Sequence, residues 1–137
     1  MKLHKFTRSL LLLSLGITAF AQAQTLSMEV WKSPTCGCCN EWISYMQKNG
    51  FEVKVNETGN YDAHKRFNIK YEHASCHTAV IDGYVIEGHV PAEDIKRLLA
   101  EKPDAIGLSA PGMPIGSPGM DGEAYGGRKD QIGRAHV

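Results

Sequence analysis

Lys32-Ser33-Pro34-Thr35-Cys36-Gly37-Cys38-Cys39 is the stretch of sequence that decides the fold. It joins a strand, predicted over residues 28–32 from alternating apolar positions, to a helix predicted over residues 38–49. The helix is indicated by apolar residues at helical spacing, namely Trp42, Ile43 and Met46. Three thiols in four residues therefore lie between the end of a strand and the N-terminus of a helix. The chain has one further cysteine, Cys76.

Local patterns predict the order of the remaining elements. Alternating residues indicate a second strand over residues 51–55, and a short helix, capped by Asn60, is predicted over residues 61–67. Asp82-Gly83 separates two apolar runs and indicates a β-hairpin, because a type I′ turn needs positive φ at both central residues. A last helix begins near Pro91. The order βαβα followed by ββα predicts an α/β domain with a four-stranded mixed sheet flanked by helices.

Over roughly residues 28–101, this order, with a cysteine motif between the first strand and the first helix, resembles the thioredoxin fold. In that fold the motif faces a loop that precedes the hairpin and normally presents a cis-proline. Here the loop reads Ala74-Ser75-Cys76-His77-Thr78 and has no proline. The resemblance implies that Cys76 and His77 lie against Cys36 and Cys39, where the missing proline would leave room for a metal.

The cysteines at this junction could bind a metal. Unsatisfied N–H groups and the dipole at a helix N-terminus stabilise a thiolate, which is both a nucleophile and a metal ligand. Soft thiolates favour Cu(I), which two or three sulfurs can satisfy. Zn(II) is the alternative, because three of the cysteines with His77 could supply the four tetrahedral nitrogen or sulfur ligands that it needs. We take Cys36, Cys39 and Cys76 as the first ligands for such a metal, with Cys38 and His77 next.

Two interpretations without a metal stay open. Cys36 and Cys39 have the C-x-x-C spacing of thiol–disulfide oxidoreductases, in which Cys36 would be the nucleophile and Cys39 the resolving thiol. Structural disulfides are the other interpretation, since an oxidising compartment favours them. Three thiols in four residues close only a short loop, however, and a short loop gives little stabilisation.

A Gly/Pro-rich C-terminal loop, residues 111–120, carries Met113 and Met120. Thioethers are soft ligands for Cu(I), and methionines also pack as adaptable apolar plugs against a core, so both roles stay open for this pair. His89, just before the last helix, is a helix cap, a surface residue or a further metal ligand. We expect His64 to be solvated.

Residues 1–23 have the pattern of a secretory signal peptide. Three basic residues precede an apolar run over residues 10–20, and Ala21-Gln22-Ala23 supplies the small residues of a cleavage site. The run is too short to span a bilayer, so we expect a periplasmic protein that is not inserted in the membrane after cleavage. The mature chain would carry 12 basic and 15 acidic residues, and this balance gives no electrostatic basis for binding nucleic acid.

We divide the mature chain into a metal-binding domain over residues 24–110 and a Met/Gly/Pro-rich segment over residues 111–131. Residues 132–137 are the peptide obtained by translating one frame of a widely used sequencing adapter. We interpret them as a non-native tail and discount His136 as a ligand.

Four motifs together resemble one known family. They are the stretch of residues 32–39 quoted above, Ser75-Cys76-His77-Thr78-Ala79, Glu87-Gly88-His89-Val90-Pro91 and Pro111-Gly112-Met113-Pro114. On these motifs the chain resembles the domain-of-unknown-function 411 family, which is described as predicted exported metal-binding proteins and is often associated with copper-handling genes. The resemblance implies copper sequestration or delivery, with other periplasmic copper proteins as partners, and it implies no reaction.

Overall fold

The computed structural model describes residues 25–131 and the backbone of residues 135–136. The predicted signal peptide lies outside the described residues, and so does most of the predicted tail. Within the part of the chain that is described, no helix is long and apolar enough to cross a membrane.

The described residues form one six-stranded sheet and three α-helices. The strands are β1 (Leu26–Lys32), β2 (Phe51–Asn56), β3 (His77–Ile81), β4 (Tyr84–Gly88), β5 (Gly107–Ala110) and the two-residue β6 (Ala135–His136). The helices are α1 (Gly37–Lys48), α2 (Tyr61–Phe67) and α3 (Ala92–Glu101). Single 3₁₀ turns occur at Tyr71–His73 and Glu123–Tyr125.

The mixed sheet flanked by three helices is confirmed, but the prediction of four strands is wrong. The short strand β5 pairs with β4 in parallel, and β6 pairs with β5 in antiparallel orientation. Strand β5 has only four residues and begins with a glycine, a residue depleted in strands, so its sequence gives a weak strand signal. A Cβ at Gly107 would overlap the Val85 carbonyl oxygen, and this pairing therefore requires glycine.

Strand order brings the two cysteine-bearing segments to one edge of the sheet. The order is β2-β1-β3-β4-β5-β6, with β1 parallel to β2 and antiparallel to β3. Lys32, the last residue of β1, is paired with His77, the first residue of β3. Because these strands run in opposite directions, the loop that leaves β1 and the loop that enters β3 meet at the same edge. The first loop ends at Cys36 and the second ends at Cys76.

The main hydrophobic core lies between the sheet and helices α1 and α3. Trp42 is fully buried in this core, and its Nε1 donates a hydrogen bond to the Val90 carbonyl at 3.0 Å. Since Val90 lies just before α3, this bond fixes α1 against the start of that helix. Helix α2 packs on the other face of the sheet, where Phe67 and Trp31 have ring centroids 6.0 Å apart.

Two local predictions have different outcomes. The hairpin is confirmed, since Asp82 and Gly83 have φ values of 47° and 82° between β3 and β4. The capping role of Asn60 is wrong: the residue occupies the N-cap position of α2, but its side chain makes no cap hydrogen bond. Its Nδ2 instead donates to the Ser75 carbonyl at 3.1 Å. A long-range partner therefore replaces the local one.

Candidate metal centre

The first half of the site is the N-terminus of α1. Cys36 occupies the N-cap position of this helix, and Cys39 lies buried in its first turn. The structure joins Cys36 and Cys39 by a disulfide, with their Cα atoms 5.3 Å apart. Cys38 is a free thiol with its Sγ 3.6 Å from the Cys36 Sγ. Disulfide exchange and metal binding would therefore both use the same sulfur atoms.

The second half is the segment that enters β3. Cys76 is also a free thiol, and its carbonyl oxygen lies 3.6 Å from the Cys39 Sγ. The sulfur atoms of Cys36, Cys38, Cys39 and Cys76 all lie within 4.8 Å of one another. The structure thus brings the four predicted cysteine ligands together, and we call this group the sulfur cluster.

Two imidazoles meet the sulfur cluster at Cys76. The Cys76 Sγ lies 3.3 Å from His77 Nδ1 and 3.2 Å from His89 Nε2, and the three residues form a second group with ligand-distance spacing. His77 is buried against the Trp42 ring, with centroids 4.4 Å apart, and against His89 at 5.0 Å. Cys76 is therefore the one residue shared by the sulfur cluster and the histidine pair.

The second nitrogen of His89 is held by the C-terminal segment. His89 Nδ1 donates a hydrogen bond to the Pro118 carbonyl at 2.8 Å, which leaves Nε2 with its lone pair towards Cys76. Metal-binding histidines commonly have such an outer partner, because it fixes the tautomer and the ring orientation. His77 Nε2 has no hydrogen-bond partner among the described residues.

Burial shifts the pKa values of Cys76, His77 and His89. It raises the pKa of the Cys76 thiol to about 12, and the neighbouring Cys38 adds to the shift. Burial also lowers the pKa of His77 to about 3, with a further contribution from His89, and it lowers the pKa of His89 itself. Both imidazoles are neutral at pH 7, which is the state in which histidine binds metals.

The two methionines of the C-terminal segment have different environments. Met120 is buried, and its Sδ accepts a hydrogen bond from the Tyr125 hydroxyl at 3.3 Å. Met113 is 54% exposed and lines a surface groove together with Cys76. Met120 therefore packs as an apolar plug, whereas Met113 presents its thioether to solvent beside the site.

The C-terminal segment packs closely on helix α1. Gly119 has a φ of +84°, and a Cβ there would lie 2.7 Å from the Trp42 nitrogen and 2.9 Å from the Cys38 carbonyl oxygen. The glycine therefore allows the backbone of the segment to lie directly on the first turns of α1. This contact also holds the neighbouring Pro118 carbonyl against His89.

The environments of His89 and His64 differ from those predicted from the sequence, and the role of Glu87 was not predicted. His89 is neither a cap nor a surface residue, since it is fully buried beside Cys76. His64 was expected to be solvated, which is wrong: it is half-buried and pairs with Glu87 at 2.8 Å. Glu87 itself was not predicted to have a role. Thr78 lies opposite Glu87 in the β3–β4 hairpin, whereas His64 is 23 residues away and no local pattern indicates that contact.

The fold and this Cys/His centre define a small α/β protein with a candidate site for a soft metal. Residues 73–120 match the sequence profile of the family described as "Protein of unknown function, DUF411". No curated protein matches the chain.

Two solved structures, both of a copper resistance protein copG, are similar to this chain over most of its length. Form 2 is 38% identical, with a TM-score of 0.72 and coverage of 83% of this chain and 99% of that chain. Form 1 is 36% identical, with a TM-score of 0.68 and coverage of 83% and 100%. The chain belongs to the DUF411 family.

Proposed function

We propose that this chain binds copper as Cu(I) in the sulfur cluster and sequesters or delivers it in the periplasm after export. The observation that carries the proposal is the mutual approach of four cysteine sulfurs to within 4.8 Å, contributed by two segments of the chain. Thiolates are soft ligands, and Cu(I) is the soft ion among the common transition metals. The name of the similar structures, copper resistance protein, agrees with this choice.

The ligand assignments follow from the same distances. Cys36, Cys38, Cys39 and Cys76 would hold the metal, and His77 and His89 would add nitrogen donors beside Cys76. Mixed sulfur and nitrogen donors also suit Zn(II), which stays the alternative metal. We further propose that Met113 contacts incoming Cu(I), because its exposed thioether lines the same groove as Cys76.

The finer classification of the fold is part of the proposal. A mixed sheet with helices on both faces, and a C-x-x-C motif between β1 and α1, support a thioredoxin-like domain. Copper proteins of the same compartment are the proposed partners.

Thiol–disulfide exchange is the second candidate function. It is favoured by one observation, the disulfide that joins Cys36 and Cys39 at the N-terminus of α1. Metal binding and this disulfide exclude each other at these two sulfurs, because thiolates are the metal ligands. A reduced protein would therefore be the copper-binding form.

An anaerobic titration tests the copper proposal. The reduced protein is titrated with Cu(I) in competition with a chromogenic chelator, and Cys76→Ser is compared with wild type. We expect the affinity to fall by more than about 100-fold in Cys76→Ser, because changes to outer-shell partners alone cost about 10–100-fold and this change removes a ligand. Cys38→Ser is the matched control, since Cys38 belongs to the sulfur cluster alone, and its loss should be smaller.

The same preparations separate the two candidate functions. If wild type binds no Cu(I) but turns over a disulfide substrate, and Cys36→Ser abolishes that turnover, the copper proposal is wrong and the oxidoreductase is favoured. If Cu(I) binds and no turnover occurs, the oxidoreductase is excluded.

A further inference from the structure

A buried carboxylate, Glu87, lies behind the segment that carries Cys76 and His77. Glu87 is on β4 and is 1% exposed, and both of its carboxylate oxygens have hydrogen-bond donors. The Ser75 backbone N–H donates to Oε1 at 2.6 Å, and the Thr78 hydroxyl donates to Oε2 at 2.6 Å. A third donor, His64 Nε2 on α2, lies 2.8 Å from Oε1.

The two nearest partners of Glu87 flank the candidate ligand pair. Ser75 directly precedes Cys76, and Thr78 directly follows His77. One carboxylate therefore holds the backbone on one side of the Cys76-His77 dipeptide and a side chain on the other. In its ionised form a carboxylate is purely an acceptor with room for about four donors, so a single Glu87 in that form can serve both positions and His64 at once.

Asn60 adds hydrogen bonds to the same two residues, Ser75 and Thr78. Asn60 Nδ2 lies 3.0 Å from the same His64 Nε2. When that nitrogen carries its proton and donates to Glu87, both N–H groups of Asn60 are left for other acceptors. These are the Ser75 carbonyl at 3.1 Å and the Thr78 hydroxyl oxygen at 3.3 Å. Ser75 and Thr78 are thus each hydrogen-bonded twice, by Glu87 from the next strand of the hairpin and by Asn60 from the start of α2.

We propose that Glu87 is a positioning residue for the metal centre: it fixes the Cys76-His77 dipeptide between Ser75 and Thr78, so that the Cys76 sulfur points into the sulfur cluster and towards His89. This inference rests on the proposed copper-binding function. Outer-shell groups that orient ligands in this way contribute about 10–100-fold to metal affinity in other proteins.

The test compares Glu87→Ala, Glu87→Gln and wild type in the full reduced protein. Cu(I) affinity is measured by chelator competition, and the unfolding temperature of the metal-free protein is measured in parallel. We expect Glu87→Ala to bind Cu(I) about 10–100-fold more weakly. Glu87→Gln should recover most of this loss, because its oxygen can accept from Ser75 and His64 and its amide can donate to the Thr78 hydroxyl.

Leu98→Ala supplies the control for a merely structural effect. Leu98 is a buried core residue of α3 outside the site, so its truncation destabilises the fold without touching the ligands. We expect Leu98→Ala to lower the unfolding temperature and leave the Cu(I) affinity of the folded protein unchanged. Equal affinities in Glu87→Ala and Leu98→Ala would overturn the inference, as would a Glu87→Gln variant no better than Glu87→Ala.

A second variant keeps the test decisive if Glu87→Ala does not fold. Thr78→Val removes a donor to Glu87 and an acceptor for Asn60 and keeps the shape of the side chain. Loss of the Glu87 hydrogen bond alone corresponds to about a two- to tenfold change in Cu(I) affinity. A Cu(I) affinity equal to that of wild type would then overturn the inference. If wild type binds no Cu(I), both the proposed function and this inference are wrong. If wild type and Glu87→Ala bind Cu(I) with the same affinity, only the inference is wrong.

Discussion

Substitution of Gly119 by alanine tests whether the C-terminal segment is part of the folded centre. Gly119 lies beside Pro118, whose carbonyl accepts the hydrogen bond from His89. Its φ of +84° disfavours any residue with a side chain, and a new Cβ would meet the Trp42 nitrogen at 2.7 Å and the Cys38 carbonyl oxygen at 2.9 Å. Both obstacles are backbone atoms of α1, so they cannot rotate away.

The expected loss of stability has two parts. Left-handed backbone conformation costs a residue with a Cβ about 1–2 kcal/mol. Forcing an extra methyl group into a packed contact costs about 1–3 kcal/mol. We therefore expect Gly119→Ala to lower the free energy of unfolding by about 2–5 kcal/mol, and the unfolding temperature by roughly 8 °C or more.

Two further glycines of the same segment separate the two parts. Gly112 has a φ of +69° with open space where a Cβ would lie, so Gly112→Ala should show the conformational cost alone, about 1–2 kcal/mol. Gly122 has a φ of −70° and equally open space, so Gly122→Ala should change the free energy of unfolding by about 0.5 kcal/mol or less. Denaturant unfolding followed by circular dichroism measures all three.

The order of stability of the three glycine variants shows whether the C-terminal segment packs on α1 in solution. If Gly119→Ala is no less stable than Gly112→Ala, the close contact between the C-terminal segment and α1 does not exist in solution. The Pro118 hydrogen bond to His89 would then lose its structural basis as well.

Two other predictions concern the methionines and the disulfide. Met120→Ala should lower the free energy of unfolding by about 2–5 kcal/mol, because Met120 is buried. Met113→Ala should lower it by about 0.5 kcal/mol or less, because Met113 is exposed. Equal decreases in the unfolding temperature of the two variants would contradict the packing role of Met120. Reduction of the Cys36–Cys39 disulfide should lower the free energy of unfolding by about 2 kcal/mol, the loop-closure value for four residues. Cu(I) added to the reduced protein should restore stability, and a stability unchanged by Cu(I) would argue against copper binding.

Local patterns predicted most of the fold because they report on neighbouring residues. The helical spacing of apolar residues in α1 and the Asp82-Gly83 turn are both short-range signals, and both elements have the predicted type. Strand β5 was not predicted because it is short and because its pairing with β4 depends on Gly107, a residue type that usually indicates a loop. The number of strands was therefore predicted wrongly, whereas the order of the predicted strands and helices is correct.

The site was predictable in part for a related reason. Closely spaced cysteines are visible in the sequence, and an antiparallel pairing of β1 and β3 is enough to bring Cys76 to them. Glu87 and His64 are 23 residues apart, and their contact has no counterpart in local spacing. The same holds for Pro118 and His89, 29 residues apart, so these two outer contacts of the centre could not be found in the sequence.

The tripeptide Glu87-Gly88-His89 shows how one strand end serves two sides of the sheet. In a regular strand, residues two apart point to the same face. Glu87 nevertheless contacts His64 on α2, whereas His89 packs against His77 on the α1 side. Gly88 permits this reversal, since its φ is +73° and the Val90 N–H closes a three-residue turn onto the Gly88 carbonyl at 2.8 Å. A Cβ at Gly88 would also lie 2.7 Å from the Ala110 carbonyl oxygen. Gly88 therefore allows one chain segment to place His89, a candidate ligand, on one face of the sheet. On the other face the same segment places Glu87, the carboxylate proposed to position the Cys76-His77 dipeptide.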